Sequence, residues 1–321
     1  MKHSSKIYVA GHNGLAGSAI FSNLERSGFK NIIVKNHCEL DLTDQLATKK
    51  FFKTEKPEYV FLAAGKVGGI YHNTLYPAEF IYQNIAIQSN VIHESYLQGV
   101  KRLLFLGSSC IYPRDCKQPM KEEYILSGPL EKSNAAYSLA KIAGIEMCSS
   151  YNHQYNTKYL ATIPTNLYGP GDNYDLQNGH VFAALIRKFS EAKKSNKKSV
   201  EVWGSGKPMR EFLCSSDLAE ACVFLMNLVD EKFNSLLRDD SSKNSYPIIN
   251  IGAGEDISVE ELSLLIAKIS GFTGKVIFDG SKPDGTPRKL LNVDILNQLG
   301  WAHNVSISDG IKKALQDFGK S

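Results

Sequence analysis

The chain has 321 residues, of which 43% are hydrophobic and 22% are charged, a composition typical of globular proteins and unlike that of disordered or fibrous ones. Its 37 lysines and arginines against 33 acidic residues leave a formal charge of +4, which argues against a dedicated nucleic-acid-binding protein. Its apolar runs are shorter than the roughly 20 residues that span a bilayer, and the one near the N-terminus is shorter than a signal-peptide core. We therefore predict no nucleic-acid partner and no membrane segment.

Six cysteines are spread over the chain without a paired C-x-x-C spacing. Unpaired thiols are typical of a reducing compartment, so we predict a cytoplasmic location. The thiols then serve core packing or, at one position, chemistry. The cysteines are Cys38, Cys110, Cys116, Cys148, Cys214 and Cys222.

Apolar runs alternate with helical patterns through the first half of the chain. Buried strands separated by helices predict a Rossmann-type, doubly wound parallel sheet of the α/β class. The predicted strands are residues 6–10, 31–34, 59–63, 102–106 and 159–163, and the predicted helices are residues 15–27, 44–55, 77–98 and 133–155.

After residue 165 the pattern loosens into short strands, helices and a polar loop at residues 239–245. We predict a nucleotide-binding domain over residues 1–165 and a smaller C-terminal α/β substrate lobe over residues 166–321. Some segments of the second region are expected to return to the first domain. The later predicted helices are near residues 180–194, 217–229, 258–269 and 306–318, and the later strands near residues 200–203, 248–251 and 276–278.

A glycine-rich loop, G-H-N-G-L-A-G at residues 11–17, follows the first predicted strand and opens the first predicted helix. Glycines there allow a tight turn, close approach to a pyrophosphate and close packing of helix on strand, and the helix N-terminus offers free N–H groups. A tight turn alone would use the same residues, but this context predicts a dinucleotide site. Its expected contacts are Gly11, His12, Asn13, Gly14, Leu15, Ala16 and Gly17.

The end of the second predicted strand indicates which dinucleotide binds. NAD sites usually place Asp or Glu there to bind the ribose 2′-hydroxyl, whereas this chain has V-K-N-H at residues 34–37, with Lys35 directly after the strand and no carboxylate before Glu39. A cationic end is compatible with a 2′-phosphate, so we predict NADP(H), although Lys35 could also be only a solvated strand terminus. Asp41 and Leu42 are then expected near the adenine.

Tyr137 and Lys141 are four residues apart, so the phenol and the ammonium share one face of a predicted helix. A nearby cation stabilises phenolate and lowers the pKa of the tyrosine, which suits a proton donor to a reduced carbonyl, although this spacing is common on helix surfaces. Ser108 follows the fourth strand, where open α/β sheets bind ligands, and it is placed to contact a carbonyl oxygen or to cap a turn. Cys110, taken alone, is typical of a small buried residue.

A series of motifs resembles the GDP-L-fucose synthases, a family of extended short-chain dehydrogenases/reductases. The resemblance extends from residue 6 to about residue 318, and S-S-C-I-Y-P and K-P-D-G-T-P-R-K are its most specific runs. Besides the glycine loop the motifs are L-A-A-G-K-V-G-G-I (62–70), Y-P-A-E-F-I-Y-Q-N (76–84), L-G-S-S-C-I-Y-P (106–113), Y-S-L-A-K-I-A-G (137–144), P-T-N-L-Y-G-P (164–170), W-G-S-G-K-P-M-R-E-F (203–212) and S-K-P-D-G-T-P-R-K (281–289).

The resemblance implies an enzyme that epimerises C3 and C5 of GDP-4-keto-6-deoxy-mannose and then reduces C4 with NADPH in the same site. By resemblance, Cys110 and His180 occupy acid–base positions, since the C4 ketone acidifies the neighbouring C–H bonds. Alone, His180 would be interpreted as a cap or a surface residue. Ser108 and Tyr137 would hold O4, Tyr137 would protonate it, and Lys141 would also bind the nicotinamide ribose.

The remaining expected contacts also come from the resemblance. An arginine suits a diphosphate because its planar fork binds two oxygens, and an aspartate can accept a hydrogen bond from guanine or ribose. Two alternatives stay open beside the resemblance: Lys188 as a solvated helix residue and Trp203 as a core residue of the lobe. The expected cofactor contacts are Ala63, Pro164, Thr165, Asn166, Leu167 and His180, and the expected substrate contacts are Ser108, Asn166, Lys188, Trp203, Arg210, Asp284 and Lys289.

Three features of the sequence depart from the family pattern. Arginines common inside the glycine loop and after the second strand are replaced by Asn13 and His37, which weakens the expected preference for NADP over NAD. The run C-S-S-D at residues 214–217 stands where the family has H-V-D-D, and we expect it to change packing only.

Two other functions stay open at this point. One is C4 reduction of a related GDP-4-keto-6-deoxy-heptose with little or no epimerisation, because loops such as residues 172–179 could accommodate a longer C5 substituent. The other is a non-catalytic NADP or nucleotide-sugar-binding module, which the set of Ser108, Tyr137 and Lys141 argues against. The family also implies a homodimer through the two long helices, although their apolar faces would equally suit packing on their own sheet.

Overall fold

A six-stranded sheet is the centre of the structure, a computed structural model that describes residues 1–176, 179–237, 246–282 and 284–320. The predicted loop at residues 239–245 lies outside the described residues. In chain order the strands are β1 (Ile7–Ala10), β2 (Ile32–Ile33), β3 (Tyr59–Leu62), β4 (Arg102–Leu106), β5 (Tyr159–Pro164), β6 (Asn166–Tyr168), β7 (Ser199–Trp203), β8 (Met209–Arg210), β9 (Phe212–Cys214), β10 (Ile248–Ile251), β11 (Ile257–Ser258), β12 (Lys275–Asp279) and β13 (Arg288–Lys289).

Several helices begin at polar residues that satisfy their free N–H groups. Asp44 accepts a hydrogen bond from the Ala47 N–H, and Ser258 and Glu261 form a capping box. In chain order the helices are α1 (Leu15–Arg26), α2 (Gln45–Glu55), α3 (Ile70–Leu75), α4 (Pro77–Leu97), α5 (Ala135–Tyr155), α6 (Val181–Lys194), α7 (Ser215–Asn227), α8 (Asp230–Ser235), α9 (Val259–Ser270), α10 (Asp294–Gln298) and α11 (Ile307–Phe318).

The central strands run in the order β10–β5–β4–β3–β1–β2, and every neighbouring pair is parallel. Ile7 of β1 lies opposite both Ile32 and Tyr59, and Ile248 lies opposite Ala161. Parallel pairing brings the carboxyl ends of these strands to one edge of the sheet. Ligands bind at this edge in open α/β sheets.

Both faces of the sheet are covered by helices. On one face α2, α4 and α5 contribute the fully buried Phe52, Ile92 and Ile145. On the other face α1 and α7 contribute the equally buried Leu24 and Leu218. A parallel sheet buried on both faces is the doubly wound arrangement, so the predicted α/β fold class is confirmed.

A further hydrophobic core forms within the second half of the chain. Phe189 of α6, Ile266 of α9 and Ile311 of α11 are fully buried in it. Short strand pairs β7–β12 and β6–β9 and the three-stranded group β11–β8–β13 belong to this half. The predicted helices at residues 180–194 and 258–269 correspond to α6 and α9 within one residue at each end.

Two elements from the second half lie against the central sheet. β10 extends the sheet beside β5, and α7 packs against α1. The local pattern predicts a strand and a helix at these positions but not their neighbours, because strand pairing depends on residues distant in the chain. β2 is only two residues long, so Asn31 and Val34, which the predicted strand includes, lie outside it. Throughout the described ranges, no helix is long and apolar enough to cross a bilayer.

Candidate active site

The glycine loop is shaped as a phosphate cradle after β1. Gly11 has a φ of +84°, and a Cβ there would lie 2.6 Å from the Ala64 backbone nitrogen. A Cβ on Gly17 would lie 2.1 Å from the Gly11 carbonyl oxygen, so helix α1 packs closely on the loop. Gly14 caps α1 without a side-chain hydrogen bond, which leaves the first N–H groups open to a phosphate.

The residues beside these glycines are compatible with a phosphate cradle. Leu15 and Ala16 form the first turn of α1, and the Ala63 N–H donates to the Ala10 carbonyl beside the loop. The Nδ1 atom of His12 is buried and has no hydrogen-bond partner among the described residues. A cradle that excludes side chains and carries an unpaired polar atom fits a dinucleotide.

The end of β2 presents polar side chains that are joined in pairs. The Asn13 amide donates to the Asn36 side-chain oxygen at 2.7 Å, which ties the glycine loop to this strand. Lys35 Nζ lies 3.5 Å from Glu39 Oε1. Asp41 accepts hydrogen bonds from the Thr43 N–H and hydroxyl, whereas Leu42 is buried in the core.

Ser108, Tyr137 and Lys141 meet at the carboxyl end of β4. Ser108 Oγ accepts a hydrogen bond from the Cys110 N–H at 3.3 Å. Lys141 is 4% exposed, and its Nζ donates to the Leu106 carbonyl at 2.8 Å and lies 5.8 Å from the centroid of the Tyr137 ring. The structure therefore brings together the three residues that the sequence places near one another.

The pKa of Tyr137 is shifted in the direction opposite to the one expected from the sequence. Burial raises the pKa of the phenol well above its ordinary value, the nearby Cys110 adds to this, and a hydrogen bond with Ser108 opposes it. The expectation of a lowered pKa for Tyr137 is therefore wrong, because burial raises it, while the Lys141 ammonium donates to the Leu106 carbonyl. Tyr137 is consequently a neutral phenol, the form that can donate a proton.

The buried ammonium of Lys141 carries a stability cost that can be measured. Burial lowers its pKa from the ordinary 10.5 to about 8, so the folded state disfavours the protonated form. Since one pKa unit corresponds to about 1.4 kcal/mol, the cost is about 3 kcal/mol, and a lost hydrogen bond returns about 1 kcal/mol. We expect Lys141→Met to raise the free energy of unfolding at pH 7 by about 2 kcal/mol.

The gain in the free energy of unfolding of Lys141→Met depends on pH. It is complete below pH 8, and it shrinks as the pH rises towards 10.5, because the wild-type folded state then holds Lys141 neutral at no desolvation cost. Urea unfolding of both proteins between pH 7 and pH 10 checks this result. A variant that is less stable than the wild type at pH 7 would contradict it.

Cys110 is half-buried, and two other side chains approach its sulfur. The Asn134 amide donates to Sγ at 3.2 Å, and Lys289 Nζ lies 3.9 Å from the same atom. Asn134 in turn accepts from the Ser138 hydroxyl at 3.4 Å. Sequence reasoning missed Asn134, although its position immediately before α5 and three residues before Tyr137 was the available signal.

His180 is the residue that caps α6, with extended backbone dihedral angles. Its side chain is accessible to solvent, yet desolvation by the surrounding protein lowers the pKa of the imidazole, which favours the neutral form. Within the described part of the chain, no hydrogen bond joins its ring to the Tyr137 group.

The turn after β5 is held by the backbone of Glu211. The Asn166 amide and the Thr165 hydroxyl both donate to the Glu211 carbonyl, at 2.8 and 3.2 Å. Pro164 ends β5 opposite Ile251. Leu167 continues into β6, where it pairs with Leu213.

The Glu211 carboxylate is a second missed feature. It is fully buried and accepts hydrogen bonds from the Gly254 and Leu291 N–H groups, and burial raises its pKa. Glu211 thus connects the turn after β5 with the segments after β10 and β13. An isolated glutamate beside Arg210 gave no sequence signal for this role.

Trp203 and two lysines form one group on the second half of the chain. Lys188 Nζ lies 5.4 Å and Lys282 Nζ 5.8 Å from the Trp203 ring. Trp203 is 60% exposed, so the alternative that it packs in a core is wrong. Lys188 also donates to the Glu201 carbonyl, and burial lowers its pKa, so it is more than a solvated helix residue.

Arg210 and Asp284 form a neighbouring group. The Asp284 carboxylate accepts from the Ser205 N–H and hydroxyl, at 2.9 and 2.6 Å, and these bonds hold its pKa below the ordinary value. Arg210 is largely desolvated, which lowers its pKa. In the β8–β13 pair, Arg210 lies opposite Lys289, so this group is continuous with the surroundings of Cys110.

The sequence matches a known family of enzymes. A family model described as the NAD dependent epimerase/dehydratase family matches residues 7–252, and the chain belongs to that family. The chain is 49% identical over 316 residues to the GDP-L-fucose synthase of Escherichia coli (strain K12), covering 98% of this chain and 96% of that protein. It is a member of the GDP-L-fucose synthase family, so the predicted family is confirmed.

Solved structures extend this comparison. A GDP-6-OMe-4-keto-L-xylo-heptose reductase from C. jejuni has a TM-score of 0.91 and 43% identity, covering 100% of this chain and 99% of that one. A GDP-mannoheptose C4 reductase from Campylobacter jejuni with NADP bound has a TM-score of 0.89 and 43% identity, with full coverage of both chains. The chain is an NADP(H)-dependent oxidoreductase with epimerase activity, as the sequence predicts.

Proposed function

We propose that this enzyme converts GDP-4-keto-6-deoxy-mannose into GDP-L-fucose, epimerising C3 and C5 and then reducing C4. One observation carries the proposal: Cys110, with Asn134 and Lys289 at its sulfur, lies in the same site as the ketone-reducing set Ser108 and Tyr137. A simple ketone reductase has no use for that thiol, whereas an epimerase needs a group that exchanges protons.

The cofactor is held by residues that fit its parts. The cradle of Gly11, Gly14 and Gly17 would receive the pyrophosphate, and Lys141 would contact the nicotinamide ribose. Bound NADPH supplies the hydride for C4. The turn at residues 164–167, fixed by the Glu211 carbonyl, would support the nicotinamide side of the site.

Ser108 and Tyr137 serve both halves of the reaction in this proposal. When a proton leaves C3 or C5, negative charge develops on O4, and it develops there again during hydride transfer. The two hydroxyl groups donate hydrogen bonds to O4 in both cases. Because the pKa of Tyr137 is raised, its phenol stays protonated and delivers the proton that completes the C4 alcohol.

Cys110 and His180 are proposed as the pair that removes and returns protons at C3 and C5. The contacts from Asn134 and Lys289 hold the sulfur in place in the site. The lowered pKa of His180 leaves a neutral imidazole that can accept a proton. Inversion then requires that the two residues act on opposite faces of the sugar ring.

The nucleotide part of the substrate is proposed to bind the second half of the chain. Arg210, with its desolvated fork, suits the diphosphate, and Lys188 and the exposed Trp203 face suit the base. Asp284 already accepts two hydrogen bonds from Ser205, which orients its carboxylate towards a ribose or guanine donor. The expected contacts of Asn166 and Lys289 belong to the same proposal.

The same proposal divides the chain into a cofactor domain over residues 1–165 and a substrate lobe over residues 166–321, with α7 and β10 returning to the first domain. We also propose a homodimer through α4 and α5. Tyr82 and Leu97 on α4 and Leu139 on α5 are 68%, 49% and 49% exposed, which supports a covered face there. A cytoplasmic location is supported by six free thiols.

The alternative function, C4 reduction of a GDP-4-keto-6-deoxy-heptose, fits the comparisons with known proteins less well. Identity to the heptose reductase described above is 43%, compared with 49% to the GDP-L-fucose synthase. A non-catalytic role conflicts with the enzyme families that the chain matches. One experiment separates the hexose and heptose reactions.

GDP-4-keto-6-deoxy-mannose and its heptose counterpart are each incubated with enzyme and NADPH in D2O, and deuterium is located by NMR. We expect deuterium at C3 and C5 of the hexose product together with fast turnover, because both carbons exchange protons before reduction. Reduction of the hexose without deuterium at either carbon would overturn the epimerase half of the proposal. Faster turnover of the heptose than of the hexose would overturn the proposed hexose substrate.

A further inference from the structure

The end of β2 offers few free partners for the 2′-phosphate of NADP. That phosphate carries about two negative charges, and it is bound next to the ribose at this strand end. The polar side chains available there are already engaged with other protein groups. The pairs are Asn13 with Asn36 at 2.7 Å, Lys35 with Glu39 at 3.5 Å and His37 with Asp41 at 3.9 Å.

Glu39 is held in place by more than its ion pair. Its Oε2 accepts a hydrogen bond from the Asn36 N–H at 2.9 Å, so the carboxylate is fixed over the turn that follows β2. This hydrogen bond, helped by Lys35 and His12, keeps the pKa of Glu39 below its ordinary value. The carboxylate is therefore charged at neutral pH and directs its other oxygen at Lys35.

We propose that Glu39 determines how strongly this enzyme prefers NADP over NAD, because its carboxylate competes with the 2′-phosphate for Lys35. Lys35 is the lysine at the position where NAD-specific sites carry a carboxylate. With Glu39 bound to it, part of its charge is neutralised before the cofactor arrives. The preference for NADP is then smaller than Lys35 alone would produce.

The competition is feasible because the ion pair is exposed. The side chains of Lys35 and Glu39 are 36% and 49% accessible, and exposed pairs of this kind are weak enough for a ligand to break. A doubly charged phosphate is a stronger partner for an ammonium than one carboxylate is. Asn13 carries no charge and is bound to Asn36, so Lys35 is the group whose release matters most.

The test uses Glu39→Gln, which removes the charge but keeps an oxygen for the Asn36 N–H. Dissociation constants of the full chain for NADPH and NADH are measured by cofactor fluorescence, and those for adenosine 2′,5′-bisphosphate and adenosine 5′-monophosphate by calorimetry. We expect Glu39→Gln to tighten NADPH and the bisphosphate by about three- to fivefold and to leave NADH and the monophosphate within about twofold. None of these probes contains the sugar, so failure of the proposed reaction does not affect the result.

A second variant tests whether Lys35 carries the effect. Lys35→Met is expected to weaken NADPH by about tenfold with little change for NADH. In the double variant Lys35→Met/Glu39→Gln, most of the gain from Glu39→Gln should disappear. The matched control is Glu260→Gln, which removes an exposed carboxylate from α9 and should change neither cofactor.

Three outcomes would overturn the proposal. NADPH affinity could stay unchanged in Glu39→Gln, NADPH and NADH could gain equally, or the gain could persist in full without Lys35. The last result would mean that Glu39 acts by general repulsion instead of by holding Lys35.

Discussion

Tyr137→Phe is expected to reduce the rate of C4 reduction by about 10³-fold, because it removes the hydroxyl that donates a proton to O4. The aromatic ring remains, so its edge contact with Phe80, at a centroid distance of 6.3 Å, is preserved. The measurement is the single-turnover loss of NADPH absorbance with a saturating keto sugar. Thermal melting and the NADPH dissociation constant of the variant serve as controls for folding and cofactor binding.

Deuterium exchange at C3 and C5 gives this prediction a second measurement. Ser108 still donates to O4 in the variant, so exchange should fall by much less than reduction. A reduction rate within about tenfold of the wild type would remove Tyr137 from the role of proton donor. Equal losses of exchange and reduction would instead assign Tyr137 mainly to holding O4.

For Cys110→Ser the opposite pattern is expected. Deuterium incorporation at C3 and C5 should fall by at least about 10²-fold, because a serine hydroxyl is a much weaker acid than a thiol. Reduction of a ketone that has already been epimerised should change by less than about threefold. NMR of the product formed in D2O measures the first rate, and NADPH consumption measures the second.

The matched control is Cys116→Ser. Cys116 is also half-buried and close enough to Lys289 for the ammonium to oppose the burial that raises its pKa, yet it has no assigned step. Both rates should stay near wild type in this variant. If Cys110→Ser slowed epimerisation and reduction equally, the thiol would have no separate part in the mechanism.

Local sequence patterns predicted much of the fold because they report burial and chain direction. Near-continuous apolar runs marked the five strands β1 to β5, and the helical patterns between them marked α1, α2, α4 and α5. The pattern failed for β2, where a four-residue run gives only two paired residues. It failed there because β2 is an edge strand with β1 as its single neighbour in the sheet, and pairing, not composition, decides where a strand ends.

The positions of some candidate site residues in the fold could be predicted too. Residues that follow strands at the carboxyl edge, such as Ser108 and the glycine loop, could be placed from strand order alone. The direction of the pKa change at Tyr137 could not, since it depends on how far the tertiary structure buries the phenol. The exposure of Trp203 likewise depends on the neighbouring loops.

By itself, the sequence determined the fold class and the glycine loop between β1 and α1, because these follow from local patterns of burial and residue chemistry. The acid–base roles of Cys110 and His180 stay predictions that come from the family resemblance. Only the tertiary structure decided which distant residues surround the Cys110 sulfur. Lys289 lies 179 residues from Cys110 in the chain, yet its Nζ is 3.9 Å from that atom. The physical reason is that β13 pairs with β8 and places Lys289 beside Arg210, a register that no local pattern encodes.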